Sequence, residues 1–372
     1  MPRILYISNT ANFSKFNLPF MRWFAARGWI VDYAAPDDER VTECDNHFVL
    51  PIARSPYSPK NFRAYRELKK IIKAGHYDIV HCHTPVGALL ARIACRNERR
   101  RGLKVIYTAH GFHFYKGAPL LNWLLYYPIE KLLARRTDCL ITINDEDFAR
   151  CKNNKFNAGE ICKIDGVGID LSRFKPANAQ EKSDLRKEYG YADGDFILIY
   201  AAELNNNKNH ILLIDSLPRL RKEIPGLKVI FAGKTDGVTN QLDRIHELGM
   251  DDIVSVLGYR KDIDRLFRMS DLCVSMSKRE GLPVNVIEGL ASGIPSVCTR
   301  IRGHTDIIED GVNGYLIPLN NPDEMVSRVV ALSRDAVLRD RMSAAGVERS
   351  SRYSVDIAVE RMAEIYSRYM PS

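Results

Sequence analysis

Short runs of β-branched and aliphatic residues alternate along the chain with longer segments of amphipathic, helix-like periodicity. In the first half the runs predict buried strands at Ile4–Ser8, Ile30–Ala34, Ile79–His83, Val105–Thr108 and Cys139–Asn144. The longer segments predict helices at Phe20–Arg27, Phe62–Ala74, Gly87–Arg96 and Pro128–Arg135. Alternation of this kind is typical of a parallel sheet covered by helices on both faces.

The same alternation restarts in the second half of the chain. It predicts strands at Phe196–Ala201, Lys228–Ala232, Ile253–Leu257, Leu272–Met276 and Ser296–Cys298. It predicts helices at His210–Glu223, Asn240–Leu248, Ile263–Met269 and Val284–Ala291, and a last long amphipathic helix at Val355–Tyr369.

The pattern therefore predicts two doubly wound α/β domains, residues 1–176 and 193–353, joined by a linker at residues 177–192. Glycines, prolines and a polar run interrupt the periodicity near this linker. A C-terminal helix at residues 354–372 follows the second domain, and we expect it to pack on either domain, including by crossing back to the first. Open α/β sheets bind ligands at the carboxyl ends of their strands, so two facing sheets predict a deep cleft between the domains.

The composition agrees with two α/β domains and indicates the cellular compartment. A chain of 372 residues suffices for two hydrophobic cores, and 45% apolar residues is typical of a soluble globular protein. The eight cysteines form no C-x-x-C pair, which argues against a disulfide framework or a zinc site and indicates a reducing cytoplasm. We expect no signal peptide and no membrane-spanning segment, because no apolar stretch is long enough.

The net charge of +8 is unevenly placed. Residues 1–176 contain 28 lysines and arginines against 17 acids, whereas the remaining residues contain 26 against 29. In the basic half, residues 119–136 combine leucines and aromatics with Lys131, Arg135 and Arg136, a combination that suits an anionic membrane surface. A solvated basic face beside a buried helix is an equally good interpretation. Nucleic acid is disfavoured, since no recognised nucleic-acid module accompanies the charge.

Candidate chemistry concentrates after the predicted strand Leu272–Met276. Glu280 and Gly281 lie in the loop that follows, and Pro283 suits the first turn of a helix whose free N–H groups favour a phosphate. Glu288 lies more than a turn into that helix, so the two acids occupy different depths. Carboxylates accept hydrogen bonds from vicinal hydroxyls. For two glutamates alone, an exposed loop acid and a helix-surface acid without a shared function is the favoured interpretation.

The segment from Glu280 to Glu288 closely resembles the signature E-G-F/L-P-x-x-x-x-E of the family-4 glycosyltransferases of the GT-B fold. Further matches lie elsewhere in the chain, at Gly258–Asp262, His110–Lys116, Gly293–Pro295, Gly303 and Glu309–Gly314. The resemblance therefore covers essentially the whole sequence. It implies two Rossmann-like α/β domains that face each other across a deep cleft, and transfer of a hexosyl or N-acetylhexosaminyl group with retention of configuration.

The resemblance also implies roles for residues of the second domain. Glu288 would hold the donor ribose, Glu280 would contact the donor sugar, and Lys208 would neutralise the diphosphate as charge builds on the leaving group. Further donor contacts are implied for Gly281, Leu282, Pro283, Val284 and Asn285 near the sugar and diphosphate, and for Gly258, Tyr259 and Arg260 near the nucleobase. Glu203 departs from the family pattern, which has arginine there. We expect Glu203 to point elsewhere, pair with Lys208 or meet a positive substrate group.

In the first domain the resemblance places His110 beside the transferred sugar, although a lone histidine is more often structural. His113 and Tyr115 follow on the same loop and are candidates for acceptor contact. Asn9 and Thr10, in the loop after the first strand, are further candidates. His83 shares a strand face with His81, but no third metal ligand is evident, so packing or an acceptor-side hydrogen bond is favoured for it.

We expect no cofactor and no metal ion. Asp145–Asp147 and Asp262–Asp264 spell D-x-D, but the first resembles a helix start and the second lies in the nucleobase-side loop. Neither Glu280 nor Glu288 is placed as a nucleophile, so we favour a front-face reaction in which the departing phosphate helps to deprotonate the acceptor.

Resemblance to capsule, exopolysaccharide and lipopolysaccharide enzymes favours a UDP-sugar donor and a polyprenyl-diphosphate-linked sugar acceptor, at the inner face of the plasma membrane. A sugar-nucleotide epimerase, a phosphorylase and a non-catalytic two-lobed sugar-binding protein remain as alternatives. A nicotinamide-dependent dehydrogenase is disfavoured, because no G-x-G-x-x-G follows the first strand.

Overall fold

The computed structural model describes residues 1–39, 41–53, 55–235 and 240–371. The chain divides into two compact units, each built on one sheet. Unit 1 comprises Met1–Gly168 and the C-terminal segment that begins at Val355, and unit 2 comprises Ile169–Ser354.

The sheet of unit 1 has the strand order β3-β2-β1-β4-β5-β6-β7, and every described pair is parallel. The strands are β1 (Arg3–Ile7), β2 (Ile30–Ala35), β3 (Asn46–Val49), β4 (Ile79–His83), β5 (Lys104–Ala109), β6 (Cys139–Thr142) and β7 (Glu160–Lys163). The helices between them are α1 (Ser14–Ala25), α2 (Lys60–Gly75), α3 (Pro85–Ala94), α4 (Leu120–Ala134) and α5 (Asp145–Asn153).

Strand β4 shows how this sheet is covered on both faces. All its residues are buried, and successive side chains point to opposite faces. Val80 lies in register with Leu5 and Val105 in the core that α2 and α3 cover with residues such as Leu68 and Ala91. Residues buried on both sides in this way are the reason that parallel strands appear as continuous apolar runs.

Unit 2 repeats the strand order of unit 1 with one strand fewer, β10-β9-β8-β11-β12-β13, again with parallel pairs. The strands are β8 (Phe196–Tyr200), β9 (Leu227–Phe231), β10 (Val254–Val256), β11 (Leu272–Ser275), β12 (Ser296–Thr299) and β13 (Gly314–Ile317). The helices are α6 (Ala179–Tyr189), α7 (His210–Ile214), α8 (Leu217–Glu223), α9 (Asn240–Glu247), α10 (Ile263–Met269), α11 (Val284–Ala291), α12 (His304–Ile307), α13 (Pro322–Arg334) and α14 (Ala336–Ser350).

The last helix, α15 (Val355–Ser367), returns to unit 1 and packs beside α1. Its Tyr366 is buried, and the phenol lies 3.1 Å from the Tyr6 hydroxyl and 2.7 Å from Nδ1 of His81. Gly168, where the chain leaves unit 1, has φ +82°, and a Cβ there would lie 2.4 Å from the Cα of Val355. Only glycine therefore allows the departing and returning segments to approach so closely.

The domain boundaries differ from the predicted ones. Unit 1 ends at Gly168, and the predicted linker at residues 177–192 contains α6. Asn178 caps α6 in a reciprocal capping box with Glu181, and Arg186 of α6 binds Asp271, so this segment is an integral part of unit 2. The glycines and prolines on either side of this short polar helix make the segment resemble a linker in the sequence.

Two helix predictions also need correction. The helix predicted to begin at Pro128 begins at Leu120, because the proline lies inside α4 on an exposed face. The helix predicted at His210–Glu223 is divided into α7 and α8, since Pro218 at the start of α8 has no N–H to continue the helical hydrogen bonds. Within the described part of the chain, no helix combines the length and apolar character that crossing a bilayer requires.

A buried ion pair joins α3 to α4 and offers a test of the packing in unit 1. Arg92 and Glu130 lie 2.8 Å apart with side chains only 1% and 8% exposed. Arg92→Met should lower the free energy of unfolding by about 3–5 kcal/mol, because Glu130 would remain buried without its partner. Urea denaturation monitored by circular dichroism measures this change.

Arg63, whose partner Glu67 is 2.7 Å away on the solvent-facing side of α2, provides the matched control. Arg63→Met should leave the transition unchanged, since exposed pairs contribute little. Equal effects of the two substitutions would contradict a special role for the buried pair.

Candidate active site

In unit 2 the strand order reverses between β8 and β11, and ligands of such sheets bind at the carboxyl ends of the strands at this point. The two loops that begin there are bonded to each other. The Lys278 N–H donates to the Asn207 carbonyl at 2.8 Å, and the Asn207 side chain donates to the Arg279 carbonyl at 3.0 Å. The Tyr200 hydroxyl adds a third connection, because it donates to the Lys208 carbonyl and accepts from the Met276 N–H.

Lys208 and Glu280 meet across these two loops, with Nζ 2.5 Å from Oε1. Burial acts to raise the pKa of the Glu280 carboxyl, but the Lys208 ammonium outweighs it and holds that pKa below its usual value. Glu280 is therefore ionised and the pair is neutral as a whole. Of the three alternatives for Glu203, pairing with Lys208 does not occur in this structure, since Lys208 binds Glu280 and Glu203 is exposed.

Unlike the Glu280 carboxyl, the Glu288 carboxyl forms no hydrogen bond or ion pair with any described residue. It lies in the second turn of α11, whose residue Gly289 packs against Cys273 of β11. Burial raises the pKa of the Glu288 carboxyl to about 8, against the opposing charge of Arg173. The two glutamates of the motif thus have opposite protonation behaviour.

The segment that joins the two glutamates forms the start of α11. Pro283 is the N-cap, one position before the helix, and Gly281 and Leu282 precede it in the loop. Val284 and Asn285 open the helix, where backbone N–H groups have no helical partner. The Asn285 amide Nδ2 is also buried without a hydrogen-bond partner among the described residues. This end of α11 therefore offers several donors to an anionic or hydroxyl-rich ligand.

The predicted nucleobase-side loop follows β10. Gly258 has φ +63°, Tyr259 is exposed, and Arg260 donates to Asp262 at 2.8 Å. Hydrogen bonds from Arg260 lower the pKa of Asp262 to about 2, and Asp264 binds Arg173. Both acids of this D-x-D sequence are thus engaged by arginines.

Unit 1 has its own switch point, between β1 and β4. Asn9 and Thr10 lie there on the loop after β1, with side chains partly exposed. The Asn9 N–H donates to the Thr84 hydroxyl at 3.1 Å, and the buried Ser8 hydroxyl donates to the Thr10 carbonyl at 2.6 Å. The loop is therefore held against the end of β4, with the two predicted acceptor contacts at the carboxyl edge of the sheet.

His110 follows β5 at the same edge and is partly exposed. Burial lowers its pKa to about 4, so the imidazole is neutral at physiological pH. Its Nε2 lies 3.1 Å from Nδ1 of His83, and Phe13 packs edge-on against its ring. The turn after His110 is fixed by Asp147, which accepts the Phe112 N–H at 3.0 Å.

The acceptor contact suggested for His83 is not supported by its surroundings. Its side chain is 1% exposed and its Nδ1 faces His110. His81 is buried as well, and its two ring nitrogens bind the Tyr366 and Thr108 hydroxyls. Neither histidine is arranged as a metal ligand, because each is enclosed by protein contacts.

His113 and Tyr115 lie on the partly exposed loop that leads into α4. The His113 ring stacks on Tyr126 of α4 at 4.6 Å, and its carbonyl accepts from Asn122. The Tyr115 carbonyl accepts the Ala118 N–H in a turn.

Among the described residues, one cluster has the composition of a metal site. Ligand atoms of Cys139, Glu160 and Cys162 lie within 4.8 Å of one another at the amino ends of β6 and β7. Arg368 lies 3.1 Å from Glu160 and 3.5 Å from the Cys162 sulfur. A guanidinium therefore supplies the positive charge there, and the cluster attaches the C-terminal segment to the sheet edge.

Comparisons with known proteins agree with this geometry. The family described as "Glycosyl transferases group 1" matches residues 181–349, and "Glycosyl transferase 4-like" matches residues 3–144. The putative glycosyltransferase EpsD of Bacillus subtilis is 45% identical over 96% of this chain and 94% of its own length. The chain belongs to the family-4 glycosyltransferases.

Two further comparisons place this glycosyltransferase more closely. An Escherichia coli protein named UDP-Gal:alpha-D-GlcNAc-diphosphoundecaprenol alpha-1,3-galactosyltransferase is 28% identical over 78% of this chain and 75% of its own length. The crystal structure of Anabaena HepE with UDP and glucose has a TM-score of 0.82, with 19% identity, over 99% of this chain and 100% of that one. The predicted GT-B fold, with two Rossmann-like parallel-sheet domains, is confirmed.

Sequence analysis of the glycosyltransferase missed the residues that support the site. Tyr200 and Asn207 bond the two loops of unit 2, and Asp147 holds the turn after His110. Asp147 had been interpreted only as part of a helix start. The signal that these positions carried was a polar residue next to a buried strand, which is too common to identify a supporting role.

The raised pKa of Glu288 predicts a pH dependence of nucleotide binding. Affinity for a nucleoside diphosphate should increase as pH rises through about 8, because the ionised carboxylate accepts ribose hydroxyls better than the protonated form. Titration calorimetry with UDP from about pH 6.5 to about pH 9 measures this effect.

Glu288→Gln is the matched control, because it keeps the shape of the side chain without the titration. The variant should bind UDP more weakly at high pH and lose the dependence on pH. A variant with the pH profile of the unmodified enzyme would remove Glu288 from the ribose site.

Proposed function

We propose that this glycosyltransferase moves a hexosyl or N-acetylhexosaminyl group, with retention, from a UDP-sugar to a polyprenyl-diphosphate-linked sugar acceptor in cell-surface polysaccharide synthesis. The observation that carries the proposal is the neutral Lys208–Glu280 pair at the carboxyl ends of β8 and β11, followed along the chain by the unpartnered Glu288 of α11. Lys208 and the free N–H groups at the start of α11 suit the diphosphate of a nucleotide sugar. Glu280 and Glu288 suit the hydroxyls of its sugar and its ribose.

On the donor side, the diphosphate exchanges partners with the protein. Lys208 turns from Glu280 to the diphosphate, and the N–H groups at the start of α11 share the negative charge. Glu280, released from its ammonium, then accepts hydroxyls of the donor sugar. Glu203 stands where the family pattern has arginine, so Lys208 and α11 carry most of the phosphate neutralisation. The HepE crystal structure, which contains UDP and glucose, favours UDP as the carrier.

On the reaction itself, the geometry favours a front-face displacement. In this complex Glu280 is occupied by hydroxyls of the donor sugar, and a neutral His110 is suited to hydrogen bonding rather than to carrying a charge. The departing phosphate oxygen therefore accepts the proton of the attacking hydroxyl, on the same face of the sugar. Lys208 and the helix N–H groups stabilise the developing charge, which leaves no step that calls for a metal ion.

On the acceptor side, α4 carries an unusual apolar surface, which we call the leucine face. It consists of the side chains of Leu120, Leu121, Leu124 and Leu132, which are between 60% and 72% exposed. Exposed apolar residues that lie together on one helix mark an interaction site.

The surroundings of the leucine face suit a membrane that contains anionic lipid. Exposed Lys131 and Arg135 lie at its C-terminal end. A small apolar groove that includes Tyr57, Leu89 and Ile129 opens beside it. We therefore propose that the enzyme attaches peripherally to the cytoplasmic face of the plasma membrane, where a lipid-linked acceptor resides. The lipid-linked substrate in the name of the Escherichia coli relative supports this choice.

Release of UDP from UDP-sugars, measured with and without a polyprenyl-diphosphate sugar, tests the proposed reaction. UDP should appear only with acceptor, and Lys208→Ala should lower turnover by about 100-fold or more, because the leaving group loses its cation. Lys222→Ala, at an exposed position of α8, should retain full activity. Acceptor-independent UDP release would favour an epimerase, and sugar binding without turnover would favour a non-catalytic protein.

Sedimentation with liposomes tests the leucine face. The enzyme should sediment with vesicles that contain anionic lipid and be released by high salt, because the basic groups act through screened charge. Leu121→Gln with Leu124→Gln should abolish binding, whereas Val337→Gln, at an exposed position of α14 in unit 2, should not. Equal binding to neutral and anionic vesicles would reject the role of charge.

A further inference from the structure

We infer that His83 is a positioning residue that fixes the proton of His110, so that His110 presents an N–H at Nδ1 to the substrate. The inference rests on the proposed function, in which a neutral His110 hydrogen-bonds the substrate. His83 itself reaches no substrate, because its side chain is 1% exposed.

The surroundings of His83 hold its ring in one orientation. Its plane lies within 6° of the Tyr6 ring, with centroids 6.1 Å apart, and Phe13 packs on it at 5.5 Å. The orientation directs Nδ1 of His83 at Nε2 of His110, 3.1 Å away. Phe13 touches both imidazoles, so one aromatic side chain maintains the pair.

A single proton occupies the space between the two nitrogens, because both imidazoles are neutral. Burial lowers the pKa of His110 to about 4, and burial also places the pKa of His83 well below its usual value. One ring must therefore donate and the other accept. In one arrangement His83 donates from Nδ1, and in the other His110 donates from Nε2.

The opposite nitrogen of His83 decides between the two arrangements. Its Nε2 is buried and has no hydrogen-bond partner within the described part of the chain. If His110 were the donor, the proton of His83 would sit on this Nε2 as an orphaned N–H, the kind of buried group that folded proteins avoid most strictly. The neighbouring His81 offers no relief, since its nitrogens bind Tyr366 and Thr108. His83 is therefore the donor, with a bare Nε2.

The consequence lies on the exposed side of His110. Its Nε2 accepts from His83, so its own proton must be on Nδ1, which bonds to no described residue and belongs to a partly exposed side chain. His110 thus meets the substrate only as a hydrogen-bond donor, to an oxygen of the sugar. A histidine without this partner would populate both neutral tautomers and spend part of its time in the wrong one.

Long-range proton–nitrogen NMR correlation of the enzyme labelled with ¹⁵N-histidine tests the pairing without substrate. We expect Nδ1–H at both His83 and His110. His83→Phe keeps an aromatic ring at this position but removes the donor, so His110 should shift toward Nε2–H. In His83→Asn the side-chain amide can donate in place of Nδ1–H, and His110 should keep its Nδ1–H. A proton on Nε2 of His110 in the unmodified enzyme would overturn the inference.

Kinetics separates positioning from mere support of the fold. His83→Phe should lower turnover by about tenfold, the value of one misplaced hydrogen bond, and His83→Asn should restore most of it. In a His110→Ala background, His83→Phe should cause no further loss, because the two residues act as a unit. Additive losses would show a structural role and overturn the proposal.

His110→Ala distinguishes failure of this inference from failure of the proposed function. Unchanged turnover in that variant would remove His110 from the reaction, and with it the positioning role of His83. The tautomer observed in the unmodified enzyme decides the pairing itself.

Discussion

The contact between the Lys208 ammonium and the Glu280 carboxylate is the interaction on which the site of unit 2 depends. It joins the loop after β8 to the loop after β11 and keeps Glu280 ionised in a mostly buried setting. Glu288 has no such partner, and its pKa rises. Two acids of one short motif thereby acquire different chemistry, which a shared spacing alone would not suggest.

In both units the same sheet topology places polar residues at one edge of the sheet. In each, the first and fourth strands are neighbours, and the loops at their carboxyl ends carry the polar residues. Unit 1 places Asn9, Thr84 and His110 at or near that edge, and unit 2 places Lys208 and Glu280 there. The strands that bear these loops are buried on both faces, so the functional side chains start from rigid supports.

The sequence was sufficient for most of the fold, because strands such as β4 and β8 are buried on both faces and appear as apolar runs. It failed for β3 and β7, whose short sequences contain polar residues, and for α6, whose own cap lies among breakers. It also did not predict β13, α13 and α14. Motif spacing also located both glutamates and Lys208.

The side chains that those residues contact could not be predicted from the sequence. The sequence suggested Glu203 as one partner for Lys208, and only the folded loops show that Glu280 is the partner. The enclosure of His83 likewise depends on side chains from separate strands and helices.

The C-terminal helix α15 joins distant parts of the sequence, because its Tyr366 completes the surroundings of Tyr6 and His81 near the other end of the chain. During synthesis on the ribosome, unit 2 is therefore translated in full before unit 1 receives α15, so the first unit to emerge is completed after the second.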